Sequence, residues 1–90
     1  MKRIRWTRHA LEVLAEREVD RDEAERAIHE PAATIPGHGG RTVYLREFSD
    51  RALGKQMLLC VVTESEADGI VIVTIYKTSS FGKYFKGDVS

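Results

Sequence analysis

The 90-residue chain has one cysteine, two prolines, one tryptophan and no net charge. With Cys60 alone no internal disulfide can form, which fits a reducing compartment. Cys60 also lies in the apolar run MLLCVV, so it reads as a small buried hydrophobe rather than a nucleophile. His9, His29 and His38 share no metal-ligand spacing with it or with one another, and neither a metal nor a cofactor is expected. No apolar run reaches the ~18 residues needed to span a bilayer. The opening MKRIRW leads into charge rather than into a signal-peptide core, so a cytoplasmic protein without membrane contact is expected. Zero net charge also counts against indiscriminate nucleic-acid binding, which usually shows as a strongly basic domain.

What is present is a globular composition, 42% hydrophobic and 31% charged, of a size that makes one domain over residues 1–90. Charge is unevenly placed. Residues 1–9 carry Lys2, Arg3, Arg5 and Arg8 with no acid, and residues 77–87 carry Lys77, Lys83 and Lys86 with no acid. Residues 12–30 hold eight acids against three arginines. If the two ends meet in space, they form a cationic patch on a neutral protein.

Residues 2–6 alternate as a short strand, with Ile4 and Trp6 on one face and Arg3 and Arg5 on the other. Thr7 caps a helix whose Ala10, Leu11, Leu14 and Ala15 form one apolar stripe ending near Arg17. Asp20 and Glu23 have capping-box spacing for a second helix, with Val19 and Ala24 as a hydrophobic staple, and Pro31 ends it near Glu30. PGHGG at 36–40 is a loop. Its glycine-rich backbone has the form of an anion cradle, but no Gly-Lys-Ser/Thr follows, so a simple turn is favoured. RTVYLREF at 41–48 alternates, with Val43 and Leu45 on one face and Tyr44, Arg46 and Phe48 on the other. QMLLCVVTE at 56–64 and IVIVTIYK at 70–77 are apolar on both faces, joined by a hairpin at SEADG.

The fold class expected is α+β: a short N-terminal strand, two helices, then a three- to four-stranded antiparallel sheet with the helices on one face. Two helices cover only one side of a sheet. The second apolar face therefore needs a cover, from the tail SSFGKYF, a partner chain or a second copy.

The chain resembles the family catalogued as domain of unknown function 4258 over nearly its full length. The resemblance rests on His9-Ala10 at the start of the first helix, Glu16-Arg17-Glu18-Val19-Asp20 between the helices, Pro31, Arg41-Thr42-Val43-Tyr44, the strand Val71 to Thr78, and Lys83-Tyr84. That family is similar in fold to the RelE-like toxins and to the compact endoribonucleases grouped with barnase. The resemblance implies a bacterial RelE-like domain, membership of a toxin-antitoxin pair, and an active-site histidine at His9. Two positions depart from the family pattern: members often carry an arginine where this chain has Val13, and a glycine where it has Glu18.

Metal-free RNA cleavage needs a base for the ribose 2'-hydroxyl, an acid for the departing oxygen and fixed positive charge around the phosphorane. In the first turn of a helix, free N–H groups favour anions and a neutral imidazole, which suits His9 as the base. The expected catalytic set is His9, Arg46 and Tyr84, with Arg8, Arg41, Lys77 and Lys83 binding RNA. Two functions follow as expectations. One is a metal-independent endoribonuclease toxin, neutralised by an antitoxin on the open sheet face. The other is a noncatalytic interaction module of the same fold that uses this face to dimerise or dock a partner.

Overall fold

The alternation of RIRW makes strand β1, Arg3–Trp6, in the computed structural model, which describes residues 3–79. Ile4 and Trp6 pack against the core while Arg3 and Arg5 stay exposed. Thr7 then starts helix α1, Arg8–Glu16: its hydroxyl oxygen accepts from the Ala10 N–H at 3.1 Å. The same hydroxyl donates to the Ile72 carbonyl at 3.0 Å, so the cap also pins the helix to the sheet.

Helix α1 ends in a Schellman motif. The Val19 N–H reaches the Leu14 carbonyl and the Glu18 N–H reaches the Ala15 carbonyl, both at 3.2 Å. Glu18 takes the left-handed position with φ of 56°, and Val19 and Leu14 are buried in the same cluster. Helix α2, Arg21–His29, begins where expected, and Val19 and Ala24 share its core. Asp20 occupies the cap position but its side chain makes no capping bond; its backbone carbonyl accepts from Glu23 and Ala24 instead.

Four strands follow β1: β2 at Ala33–Pro36, β3 at Thr42–Asp50, β4 at Lys55–Glu66 and β5 at Gly69–Thr78. A single 3₁₀ turn at His38–Gly40 separates β2 from β3. The sheet order is β1-β5-β4-β3-β2. Two features differ from the expected sheet. β1 runs parallel to β5, with Trp6 beside Ile72, so the sheet is mixed rather than antiparallel. β2 is a strand not expected from sequence, four residues long with Pro31 just before it and Pro36 as its last residue; pairing with β3 creates it, and Pro36 is tolerated because β2 is an edge.

The helices lie on one face. Ala10, Leu14, Ala24, Ala27 and Ile28 close over Leu59, Val61, Ile72 and Ile75. The other face holds a second cluster of Val43, Leu45, Leu58 and Cys60, with Ile35 and Tyr76 against it, so both faces are apolar as the strand pattern required. Gly69 permits the parallel contact: a Cβ there would stand 2.1 Å from the Arg3 carbonyl oxygen. Val73 is an extra residue in β5, since Thr63 pairs with Ile72 and Val62 with Thr74. Among the described residues no helix is long and apolar enough to cross a membrane.

Candidate functional site

β1 leads into α1, which continues along β5 over the sheet. Its first turn is held at Ile72 by Thr7, and its last carbonyls lie over Lys77. Arg8 and His9 are both exposed in that first turn, and among the described residues neither side chain makes a hydrogen bond or ion pair.

Lys77, Arg46 and Arg41, expected around His9, are elsewhere. Lys77 is five residues farther along β5 than Ile72, or about 16 Å of strand. Its ammonium donates to Asp50 Oδ2 at 2.5 Å and to the Arg17 carbonyl at 2.7 Å. With 13% of the Lys77 side chain and 1% of the Asp50 side chain exposed, the pair is internal. Asp50 Oδ1 also accepts the N–H groups of Ala52 and Leu53, which forms the β3–β4 turn. The Lys77 hydrogen bond holds the Asp50 carboxyl below its usual range against the opposing effect of burial, helped by those two backbone donors. A lysine expected to bind phosphate thus ties together three parts of the fold.

Arg46 lies in the same row as Lys77, with Leu59 between them. Its Nη1 donates at 2.6 Å to the carbonyl of Glu30 at the end of α2. Arg41 lies near the row of Ile72 but beyond β4, about 10 Å away across two strand spacings, and its Nε is paired with Glu64 Oε2 at 2.8 Å. The described basic residues at the start of the chain do not meet the end of β5 either. Arg5 pairs with Val71, six residues before Lys77 and about 20 Å from it along the strand. Tyr84 and Lys83 lie outside the described residues.

The remaining candidates fit bland roles. Burial pushes the Cys60 thiol up to about 11, partly offset by a hydrogen bond with Tyr76, which leaves it protonated and inert. His29 and His38 are exposed. Among the described residues no group of three potential ligands could hold a metal ion.

An accessible concavity lies elsewhere, between α2 and the far half of β3, with a volume of about 600 Å³. Phe48, 8% exposed, supplies its apolar floor. Arg26, Arg46 and Arg51 line it together with Glu18, Asp20, Glu23 and Glu47, so acids outnumber cations by one. Of the predicted site residues among those described, it takes in Arg46 alone. Sequence reasoning missed this cleft because its walls come from a loop, a helix and a strand edge that only the fold brings together. Asp50 was also missed, although an aspartate opening the turn DRALG is a recognisable turn signal.

No curated protein and no solved structure matches the chain. The profile of one family matches residues 6–77, four-fifths of its length. With the helix start at His9, both helices and the strands up to Lys77 inside that match, the chain belongs to the family described as Domain of unknown function (DUF4258).

Proposed function

We propose that this domain binds another polypeptide and does not cut RNA. The observation that carries the reading is the cleft beside β3, which has an apolar floor at Phe48 and walls of both charge signs with acids in excess. An apolar centre inside a polar rim is how protein interfaces are built, whereas a nucleic-acid groove needs a surplus of cations along the phosphates. The sheet face opposite the helices was the docking surface expected from sequence. Its central Leu45, Leu58 and Cys60 are fully buried, so a partner reaches the cleft more readily than that face.

The order of one strand, two helices and a following sheet supports a RelE-like architecture. The partner that this resemblance implies is an antitoxin-like chain made from a neighbouring gene. One observation favours the nuclease instead: His9 stands exposed beside Arg8 where helix N–H groups attract anions. A single assay separates the two readings. With chelator present, the purified protein and its His9→Ala variant are expected to leave single-stranded RNA intact at equal background rates. A loss of roughly 10² to 10⁴ in cleavage on removing His9, the scale of general acid–base catalysis, would replace the binding reading with the nuclease.

A further inference from the structure

Strand β2 covers only part of its neighbour. It pairs with β3 from Thr42 to Leu45, and the Ala32 N–H closes that ladder on the Leu45 carbonyl. β3 continues to Asp50, paired on its inner side with β4 along its whole length. Arg41 and Leu45 use their carbonyls toward the β2 side. Backbone direction alternates with period two, so Glu47 and Ser49 turn their N–H and C=O groups toward the same side, where no strand stands among the described residues. Both residues are exposed and line the cleft. Exposed edges are normally shortened, blocked by proline or covered. β1 has four residues and β2 ends in Pro36, but the 46–50 stretch has α2 set back from it across a cleft of about 600 Å³.

We propose that a partner polypeptide adds an extended strand to the outer edge of β3 between Arg46 and Asp50, antiparallel to it. This deepens the binding reading above and rests on it. The charges around the edge determine what that strand carries. Arg46 reaches the Glu30 carbonyl, so the end of α2 and Arg26 belong to the Arg46 end of the cleft. Lys77 joins the Arg17 carbonyl to Asp50, so Glu18, Asp20 and Glu23 belong to the Asp50 end. Arg26 and Arg46 form no ion pair among the described residues, and neither do Glu18, Asp20 and Glu23. An antiparallel strand enters at the Asp50 end and leaves at the Arg46 end. On its helix-side face it therefore carries a cation first, an apolar residue over Phe48 next, and a carboxylate last. The backbone supplies affinity and the alternate side chains supply specificity, as in other cases of strand addition.

The probe is the capped peptide Ac-Thr-Lys-Thr-Val-Thr-Glu-Thr-NH2, titrated into the full chain with backbone amides followed by NMR. It is expected to slow hydrogen exchange at the Glu47 and Ser49 N–H groups and to bind about ten-fold more tightly than the peptide with lysine and glutamate exchanged. That ratio corresponds to a few exposed charge pairs changing sign. Glu47→Pro removes an outward donor and leaves the β4 ladder in place, and it is expected to abolish binding. Arg26→Glu, on the exposed side of α2, is expected to weaken it about ten-fold. Equal affinity for the two peptides, binding that survives Glu47→Pro, or absence of binding would overturn the edge site. A dimer that forms through residues 46–50 and excludes the peptide would overturn it by assigning the edge to a second copy. None of these results depends on the RNA assay, so the edge site and the binding reading fail separately.

Discussion

Replacing Glu18 with glycine is expected to make this protein more stable, whereas most substitutions do the reverse. Glu18 holds φ of 56° so that its own N–H and that of Val19 can satisfy the last carbonyls of α1. A residue with a Cβ in the left-handed region bears about 1–2 kcal/mol from contact with the following carbonyl. Glycine removes that contact, but its looser unfolded chain gives back about 0.4–1 kcal/mol. The balance is a gain of about 1 kcal/mol, or roughly 4–8 °C in Tm for a domain of this size. Urea denaturation of wild type, Glu18→Gly and Glu18→Ala measures it. Alanine keeps the Cβ and is expected to stay within about 0.5 kcal/mol of wild type, the usual range for a surface change. A glycine variant no more stable than the alanine variant would refute the argument, since the strain assigned to the backbone would then not exist.

Two further predictions concern the contacts that join the elements. Gly69→Ala places a methyl group 2.1 Å from the Arg3 carbonyl oxygen and 2.6 Å from the Arg3 nitrogen, so β1 has to move away from β5. A loss of about 1–3 kcal/mol is expected, the usual cost of overpacking, with exchange protection falling first in β1; unchanged stability would mean that β1 does not pair there. For Asp50, the folded carboxyl titrates below its unfolded value of about 3.9. The native state therefore binds fewer protons at that site, and its stabilising effect is complete above that value and lost as pH falls through the folded one. Wild type is expected to lose stability steeply below about pH 4 and Asp50→Asn to show a flatter acid limb; parallel limbs in the two proteins would remove the Lys77 pair from the acid response.

Local pattern fixed much of this protein without help from tertiary contacts. Alternation in RIRW and RTVYLREF, the Thr7 cap, the stop at Pro31 and the doubly apolar runs at 56–64 and 70–77 are set by residues within a few positions of one another. Backbone geometry imposes these periods on any chain, so strands, helices and faces were readable. β2 was not, because its alternation spans only four residues, with Pro31 just before it and Pro36 within it, and it becomes a strand only when β3 supplies partners. The parallel placement of β1 also depends on a residue 66 positions away in sequence, Gly69 beside Arg3, for which local pattern has no signal.

The candidate site depended still more on long-range arrangement. Charge counts showed basic ends and an acidic middle, and the inference that the ends meet at His9 required knowing which strands are neighbours. The fold instead sends Lys77 inward to Asp50, gives Arg41 to Glu64 and Arg46 to the Glu30 carbonyl, and leaves His9 exposed at the opposite end of α1 from Lys77. Sequence by itself determined which residues are apolar, which are charged and which segments repeat with helix or strand period, because those properties are local. Tertiary structure decided which charges are neutralised, where a strand edge is left uncovered among the described residues and what lies beside it, because each of those depends on contacts between residues far apart in the chain.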